Sequence, residues 1–233
     1  MGDIKFFKKP NKTTETSGDF LRGKTVFVAT PAYGGWIHLA TVDLVFNHIF
    51  AKTRPGRIDW AKMGNESHIL RARNALWTLF LKTDATHLLF LDADVTANFP
   101  IINILLTMQK DVIGGMVPLK GFDEKGNRIF SHGQVYREEG DLVSVEWVGN
   151  ACLMISREAA KKYMDFYKPE TYEGNPRNPT MAGQEIYDVF GYDVVDRRYL
   201  SEDEFICKRF REMGIEVFMY TGQPMTHYGT IPI

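Results

Sequence analysis

Short apolar runs and stretches with helical spacing alternate along the first half of this chain. Residues 24–30 form a β-branched, apolar run that Pro31 stops, which predicts a buried strand. Apolar positions in residues 37–50 recur every three or four residues, which predicts an amphipathic helix. The elements predicted for this half are strands at 24–30, 57–63, 87–91 and 111–116 and helices at 37–50, 67–81 and 100–109. This alternation predicts an α/β fold with a mostly parallel central sheet flanked by helices.

The second half has a different pattern. Residues 121–140 are polar and carry turn signals, and residues 142–155 alternate as antiparallel or mixed strands do. Helices are predicted at 156–164 and 201–213, a final strand at 215–220, and a long ordered loop at 167–198, which is rich in Pro, Gly, Asn and Tyr. We therefore expect a small antiparallel or mixed second half.

Length and composition fit one domain. The 233 residues are 44% hydrophobic and 13% aromatic, which is ample material for a core. Residues 1–23 are polar and lysine-rich and lack the apolar segment of a secretory signal, so we expect a solvated leader. Residues 24–233 are expected to form the domain.

Charge and cysteine content exclude several classes of protein. The 28 basic and 29 acidic residues give a formal charge of −1, so no basic surface for nucleic acid is expected. No stretch approaches the roughly 20 apolar residues of a membrane-spanning helix. Cys152 and Cys207 make neither a disulfide framework nor a zinc site, and we expect reduced core thiols. These features predict a soluble, cytoplasmic protein with no integral membrane segment.

Asp92-Ala93-Asp94 is the most informative motif, because it follows the very apolar strand at 87–91. Ligands of open α/β sheets bind at the carboxyl ends of the strands. An extended Asp-x-Asp points both side chains the same way, so they can share one divalent cation. Oxygen ligands of this kind suit Mg²⁺ or Mn²⁺, with diphosphate or water completing the coordination. A solvated turn is the plain alternative, and the preceding apolar residues favour the metal site.

The order of motifs resembles that of nucleotide-sugar glycosyltransferases with the GT-A fold. Ala72-Arg73-Asn74 followed by Leu91-Asp92-Ala93-Asp94 is similar to the ARN and LDaD motifs of family 2 and of mannan-polymerase-like enzymes. The resemblance covers about residues 24–230. It implies a GT-A (Rossmann-like) fold in which residues 24–118 bind the nucleotide-sugar and residues 119–233 bind the acceptor.

The resemblance also implies the donor site. Residues 28–33 resemble the first-strand loop that cradles base and ribose. On the helix at 67–81 the family match falls on Arg73 and Asn74, whereas the helical phase favours Arg71 with Asn74 on one polar face. The donor-binding candidates are Thr30, Pro31, Tyr33, Arg71, Arg73, Asn74 and Asp92.

A third metal ligand is implied by the position of His227 after the final strand, which makes Asp92, Asp94 and His227 the candidate ligand set. A neutral nitrogen ligand favours Mn²⁺ somewhat over Mg²⁺. Asp94 is favoured for direct coordination, and Asp92 for the ribose or the donor sugar. The alternative for His227 is an ordinary surface histidine.

On the acceptor side, residues 148–155 resemble the strand bordering the acceptor, and Ser201-Glu202-Asp203-Glu204 resembles the ED motif at the start of a C-terminal helix. Asp203 would be the general base of an inverting reaction. A retaining enzyme needs no such base, and acids in a first helical turn also complement the helix dipole. The acceptor-binding candidates are Trp147, Gly149, Asn150 and Glu202.

These inferences predict a metal-dependent, inverting glycosyltransferase of the hexosyltransferase class. It would take a nucleotide-sugar donor, with uridine the favoured base, and a glycan or glycoconjugate acceptor. One alternative is a haloacid-dehalogenase-like phosphatase, since residues 92–96 also fit a DxDxT-like nucleophile motif. The other is a non-catalytic nucleotide- or sugar-binding module.

Overall fold

The computed structural model describes residues 17–178 and 181–229, so most of the predicted leader, residues 1–16, lies outside the described residues. The described helices are α1 (Ser17–Arg22), α2 (Leu39–Phe50), α3 (Ile69–Leu81), α4 (Ile101–Thr107), α5 (Arg157–Tyr167) and α6 (Glu202–Glu212). The described strands are β1 (Thr25–Ala32), β2 (Arg57–Gly64), β3 (His87–Leu91), β4 (Val95–Thr96), β5 (Val112–Gly115), β6 (Pro118–Phe122), β7 (Arg128–Phe130), β8 (Val135–Glu139), β9 (Leu142–Val145), β10 (Cys152–Ser156), β11 (Thr171–Glu173), β12 (Glu185–Tyr187), β13 (Asp193–Val195), β14 (Arg198–Leu200), β15 (Val217–Tyr220) and β16 (Thr226–His227).

One central sheet organises the domain, with strand order β2-β1-β3-β10-β5-β15-β9-β8. β1 pairs in parallel with β2 and β3, and β5 pairs in parallel with β15. β10 lies antiparallel between β3 and β5, and β9 lies antiparallel between β15 and β8. Six strands therefore run in one direction and two against it. The predicted α/β class, mostly parallel with antiparallel strands from the second half, is confirmed.

Side chains that alternate along the strands form a core on each face of the sheet. Leu88 and Phe90 of β3 pack with α3, α5 and α6, whereas Leu89 and Leu91 pack with α1, α2 and α4. This two-residue period is what a sheet buried on both sides requires. Cys152 and Cys207 are buried and free, which confirms the predicted core thiols. None of the helices in the described ranges has the length and apolar character to cross a membrane.

Two expectations about exposure are wrong. The end of the predicted solvated leader is helix α1, and its Leu21 is only 1% exposed because it packs into the core beside α4. The predicted polar face of α3 is also covered. Asn74 and Thr78 are buried, because residues 185–190 cross the helix and the backbone N–H of Tyr187 donates to Thr78 Oγ1 at 3.1 Å. The predicted loop at 167–198 contains the short pairs β11–β12 and β13–β14.

Candidate functional site

The acidic motif lies at the carboxyl end of β3 but is not extended. Residues 92–94 form a turn, in which the backbone N–H of Val95 donates to the carbonyl of Asp92 at 3.2 Å. The expectation of an extended Asp-x-Asp is therefore wrong. The turn leads directly into the short strand β4, which pairs with β16. As a result, Asp92 and Asp94 have different partners.

Asp92 is paired with a buried cation. Arg73 Nη2 lies 3.1 Å from Asp92 Oδ1, and the Arg73 side chain is 2% exposed. The guanidinium also lies 5.3 Å from the ring centroid of Phe90. A buried charge requires such compensation. Asp92 therefore neutralises the buried charge of Arg73 in this structure.

Asp94 meets two cationic or ionisable groups, one at each oxygen. Lys120 Nζ lies 2.5 Å from Oδ2, and His227 Nε2 lies 3.4 Å from Oδ1. Burial by itself would raise the pKa of Asp94, but His227 and Lys120 outweigh it and hold the pKa at about 2. Burial would lower the pKa of His227, whereas Asp94 and the carbonyl of Pro118 raise it above its ordinary value.

The C-terminal tail brings His227 to this position. β16 pairs with β4 so that His227 lies opposite Val95, and the backbone N–H of Tyr228 donates to the carbonyl of Asp94 at 2.8 Å. His227 Nδ1 lies 2.8 Å from the carbonyl oxygen of Pro118, to which it donates. A histidine whose Nδ1–H is held by a backbone carbonyl presents Nε2 as its ligand atom, as metal-binding histidines do.

The chemistry of this pair fits a divalent metal. Asp94 Oδ1 and His227 Nε2 face each other, so a positive charge between them is favourable. A proton on Nε2 supplies it when the histidine is protonated, and a metal ion could take the place of that proton. Across the described ranges, 17–178 and 181–229, no group of three or more His, Cys, Asp or Glu side chains is arranged to hold a metal. A site with these two protein ligands leaves its other positions to donor oxygens and water, the usual arrangement for Mg²⁺ and Mn²⁺ with phosphates.

A cavity of about 800 Å³ opens at this edge of the sheet. Asp92 and Asp94 lie in its wall, and aromatic side chains surround it. Tyr33 is 74% exposed, and the His38 and Tyr228 rings stack with centroids 3.8 Å apart. Further residues line the wall that were not predicted as site residues, namely Trp36, His38, Glu66, Ser67, Ile69, Lys120, Tyr228 and Gly229. Trp36 follows Gly34-Gly35 and Tyr228 follows His227 in the sequence. An aromatic residue in such a position is too common to identify a site.

Three donor candidates lie elsewhere. Thr30 is buried, and its Oγ1 accepts from Trp60 Nε1 at 2.9 Å. Asn74 anchors the covering segment, since its Oδ1 accepts the backbone N–H groups of Val189 and Phe190 at 3.0 and 2.7 Å. Arg71 pairs with Glu66, with Nη2 and Oε1 2.5 Å apart. Three of the seven donor candidates, Pro31, Tyr33 and Asp92, line the cavity. A fourth, Arg73, is buried and forms an ion pair with Asp92.

Asp203 lies in the first turn of α6, whose N-cap Ser201 forms a reciprocal capping box with Glu204. The backbone N–H of Asn150 donates to Asp203 Oδ1 at 2.8 Å. Burial raises the pKa of Asp203 to about 7; the charge of Glu202 adds to this, and Arg73 opposes it. Asp203 therefore lies within electrostatic reach of the Arg73–Asp92 pair, in the same charged cluster.

Four buried polar atoms of this cluster have no hydrogen-bond partner among the described residues. They are Arg73 Nε and Nη1 and the two side-chain amide atoms of Asn150, a residue that is fully buried. Buried polar groups are nearly always paired. The polar atoms of Arg73 and Asn150 beside Asp203 are therefore incompletely paired in this structure.

The other acceptor candidates are spread over a wider area. Trp147 lines a separate cavity of about 640 Å³ with charged residues of α6 and β14. At Gly149 a side chain would come within 2.7 Å of Ser131 Oγ, so this glycine is required by close packing. Glu202 neighbours Asp203 and acts on it through charge.

The sheet carries its acidic turn at the carboxyl end of β3, within the mostly parallel α/β architecture that the sequence predicted. No protein-family model matches this sequence, and no curated protein matches it significantly. The fold is similar to the crystal structure of A197 from STIV, with 17% identity, a TM-score of 0.54, and coverage of 89% of this chain and 86% of that chain. At this identity the likeness concerns the fold alone.

Two more distant structures share parts of the architecture. GalNAc-T7, crystallised with UDP, GalNAc and Mn²⁺, is 12% identical with a TM-score of 0.47, and the match covers 89% of this chain and 44% of that chain. Glucosyl-3-phosphoglycerate synthase from Mycobacterium tuberculosis, crystallised with Mn²⁺, UDP-glucose and phosphoglyceric acid, is 16% identical with a TM-score of 0.33 over 50% of this chain and 51% of that chain. These scores are too low to assign ligands to this chain.

Proposed function

We propose that this chain is a metal-dependent glycosyltransferase that moves a sugar from a nucleotide-sugar to a hydroxyl of a glycan or glycoconjugate. The observation that carries the proposal is the pair formed by Asp94 Oδ1 and His227 Nε2, which are 3.4 Å apart. Asp94 lies in the wall of the 800 Å³ cavity, and Tyr228, next to His227 in the chain, also lines it. The pair lies at the carboxyl end of β3, where ligands of such sheets bind.

Asp94 and His227 would hold Mn²⁺ or Mg²⁺, and the histidine nitrogen favours Mn²⁺. When bound, the ion supplies Lewis-acid stabilisation of the charge that develops on the leaving diphosphate. Pro118 orients the histidine through its carbonyl oxygen, 2.8 Å from Nδ1. Asp92, held by Arg73, would accept hydrogen bonds from the ribose or the donor sugar.

The aromatic side chains at the cavity would bind the nucleoside. Tyr33 and Trp36 are exposed at its rim and offer flat apolar faces on which a base can stack. We favour uridine as the base. Pro31 contributes the adjoining wall at the end of β1.

Asp203 would be the general base of an inverting displacement. A base works best when its pKa lies near the working pH, and the pKa of Asp203 is raised to about 7 by burial. Its carboxylate would take the proton of the acceptor hydroxyl during attack on the anomeric carbon. Asn150 and Glu202 would bind acceptor hydroxyls beside it.

The dehalogenase-type alternative finds less support. It requires Asp92 to attack phosphorus, yet this carboxylate is paired with the buried Arg73. The Thr96 hydroxyl, which that motif would use, donates to the carbonyl of Ala40 at 2.8 Å. These contacts favour a structural role for residues 95 and 96 in the β4–β16 pair.

A thermal-shift screen of UDP-, GDP- and dTDP-sugars, each with EDTA or Mn²⁺, tests the proposal. A ligand that binds only the folded chain raises its melting temperature, so the true donor is expected to do so in Mn²⁺ and far less in EDTA. Release of nucleoside diphosphate on addition of an acceptor then separates an enzyme from a binding module. If no donor gives a Mn²⁺-dependent shift, the proposal is wrong.

A further inference from the structure

Lys120 makes a contact with Asp94 that would compete with a metal ion bound there. Its ammonium lies 2.5 Å from Asp94 Oδ2, and its side chain is about half-exposed at the cavity wall. Lys120 belongs to β6, the strand whose first residue, Pro118, orients His227. The hairpin formed by β6 and β7 therefore contributes both a support for a metal ligand and a cation that competes with the metal.

Lys120 and a divalent ion bound to Asp94 would compete for the charge of one carboxylate. Both are positive, and their repulsion is strong at a partly buried site. Lys120 can leave without disturbing the core, because its stem lies against the backbone of Gly229 at the surface, and lysine is a flexible point charge. When a metal takes Asp94, the ammonium must find another anion.

We propose that Lys120 moves from Asp94 to the diphosphate of the donor, so that it binds the leaving group and couples metal binding to nucleotide binding. This inference rests on the proposed function, which puts a diphosphate next to Asp94. The cavity wall already contains Asp94 and Lys120. Metal alone must displace Lys120 with no new partner for it, whereas metal together with a diphosphate supplies that partner. The two ligands therefore bind cooperatively.

Replacing Lys120 with methionine keeps the aliphatic stem and removes the charge. The variant therefore separates competition with the metal at Asp94 from binding of the diphosphate. K120M is expected to bind Mn²⁺ alone several-fold more tightly, since Asp94 has lost its competitor. The same variant is expected to bind nucleoside diphosphate in saturating Mn²⁺ about tenfold more weakly, the usual size of a lost charge-assisted hydrogen bond. K125M is the matched control, because Lys125 lies in the turn of the same hairpin, where its backbone N–H donates to Asp123.

Isothermal titration of the full chain with Mn²⁺ alone, and with UDP and GDP in saturating Mn²⁺, tests the inference in wild type, K120M and K125M. Opposite changes in K120M, with K125M unchanged, support it. If wild type binds both ligands and K120M binds Mn²⁺ no more tightly, or nucleotide no more weakly, the inference is wrong and the proposed function stands. If wild type binds neither Mn²⁺ nor nucleotide, both are wrong.

Discussion

Asp203→Asn is expected to make the protein more stable and less active. The pKa of Asp203 is raised from 3.8 to about 7, chiefly by burial, so the folded state favours the neutral carboxyl. A pKa raised in the folded state contributes stability that is fully present below the unfolded pKa, near 4, and is lost as the pH rises to 7. A tenfold change in proton affinity corresponds to about 1.4 kcal/mol. Ionisation of Asp203 in the folded state therefore lowers the free energy of unfolding at pH 8 by at most about 4 kcal/mol.

Asparagine keeps the oxygen that accepts from the Asn150 N–H and removes the charge. The melting temperature of the variant should exceed that of wild type at pH 8, by about 2–4 °C per kcal/mol for a chain of this size. The difference should vanish near pH 4. Loss of a general base should lower turnover by about 10²–10⁴-fold with little change in donor affinity.

Calorimetry between pH 4 and 8 measures the predicted gain in stability, and initial rates on the same samples measure the predicted loss of turnover. If Asp203 serves only the helix dipole, the variant should lose about 0.3–1 kcal/mol and keep its turnover. A variant that is less stable at pH 8 and fully active would therefore refute the reasoning. Retention of configuration in the product, read by NMR, would also exclude Asp203 as the base of an inverting reaction.

Other predictions concern the metal pair and the segment that covers α3. Asp94→Asn should weaken Mn²⁺-dependent nucleotide binding by tenfold or more, which isothermal titration measures. Because the folded state holds the pKa of Asp94 at about 2, loss of this charge should also lower the melting temperature at neutral pH. His227→Gln should weaken Mn²⁺ binding similarly. His132→Gln, at a partly buried histidine that does not line the cavity, serves as the control; equal affinities in the His227 variant and wild type would return His227 to a surface role. In wild type, Mn²⁺ affinity should fall as the pH drops below the raised pKa of His227, because the proton and the metal compete for Nε2. Asn74→Ala should cost about 2–4 kcal/mol by leaving two buried N–H groups unpaired, and an unchanged midpoint in urea would contradict this.

The sequence predicts those parts of the structure that local signals and the order of the strands determine. The apolar run before Asp92 predicted β3 and the edge of the sheet at which the cavity opens, and Ser201 predicted the start of α6. His227 returns to Asp94 because β16 pairs with β4, a contact that the resemblance implied and that strands of two residues each do not reveal by themselves.

The features that the sequence did not predict depend on contacts between residues far apart in the chain. Asn74 has the helical phase of a solvent-facing residue, yet it is buried because a segment more than a hundred residues later crosses α3. Lys120 lies in a polar stretch without any motif, and its importance follows from the fold of the β6–β7 hairpin beside Asp94. The pairing of Asp92 with Arg73 requires the turn at residues 92–94, which the extended Asp-x-Asp pattern did not predict.

The central claim is metal-dependent use of a nucleotide-sugar at the Asp94–His227 pair. It is tested most directly by the rate at which nucleoside diphosphate is released from the nucleotide-sugar that binds best, with protein stripped by EDTA and then supplied with Mn²⁺. We predict negligible release after stripping, recovery in Mn²⁺ for wild type, and no recovery for Asp94→Asn. Equal release with and without the metal, or full recovery in Asp94→Asn, would contradict the claim.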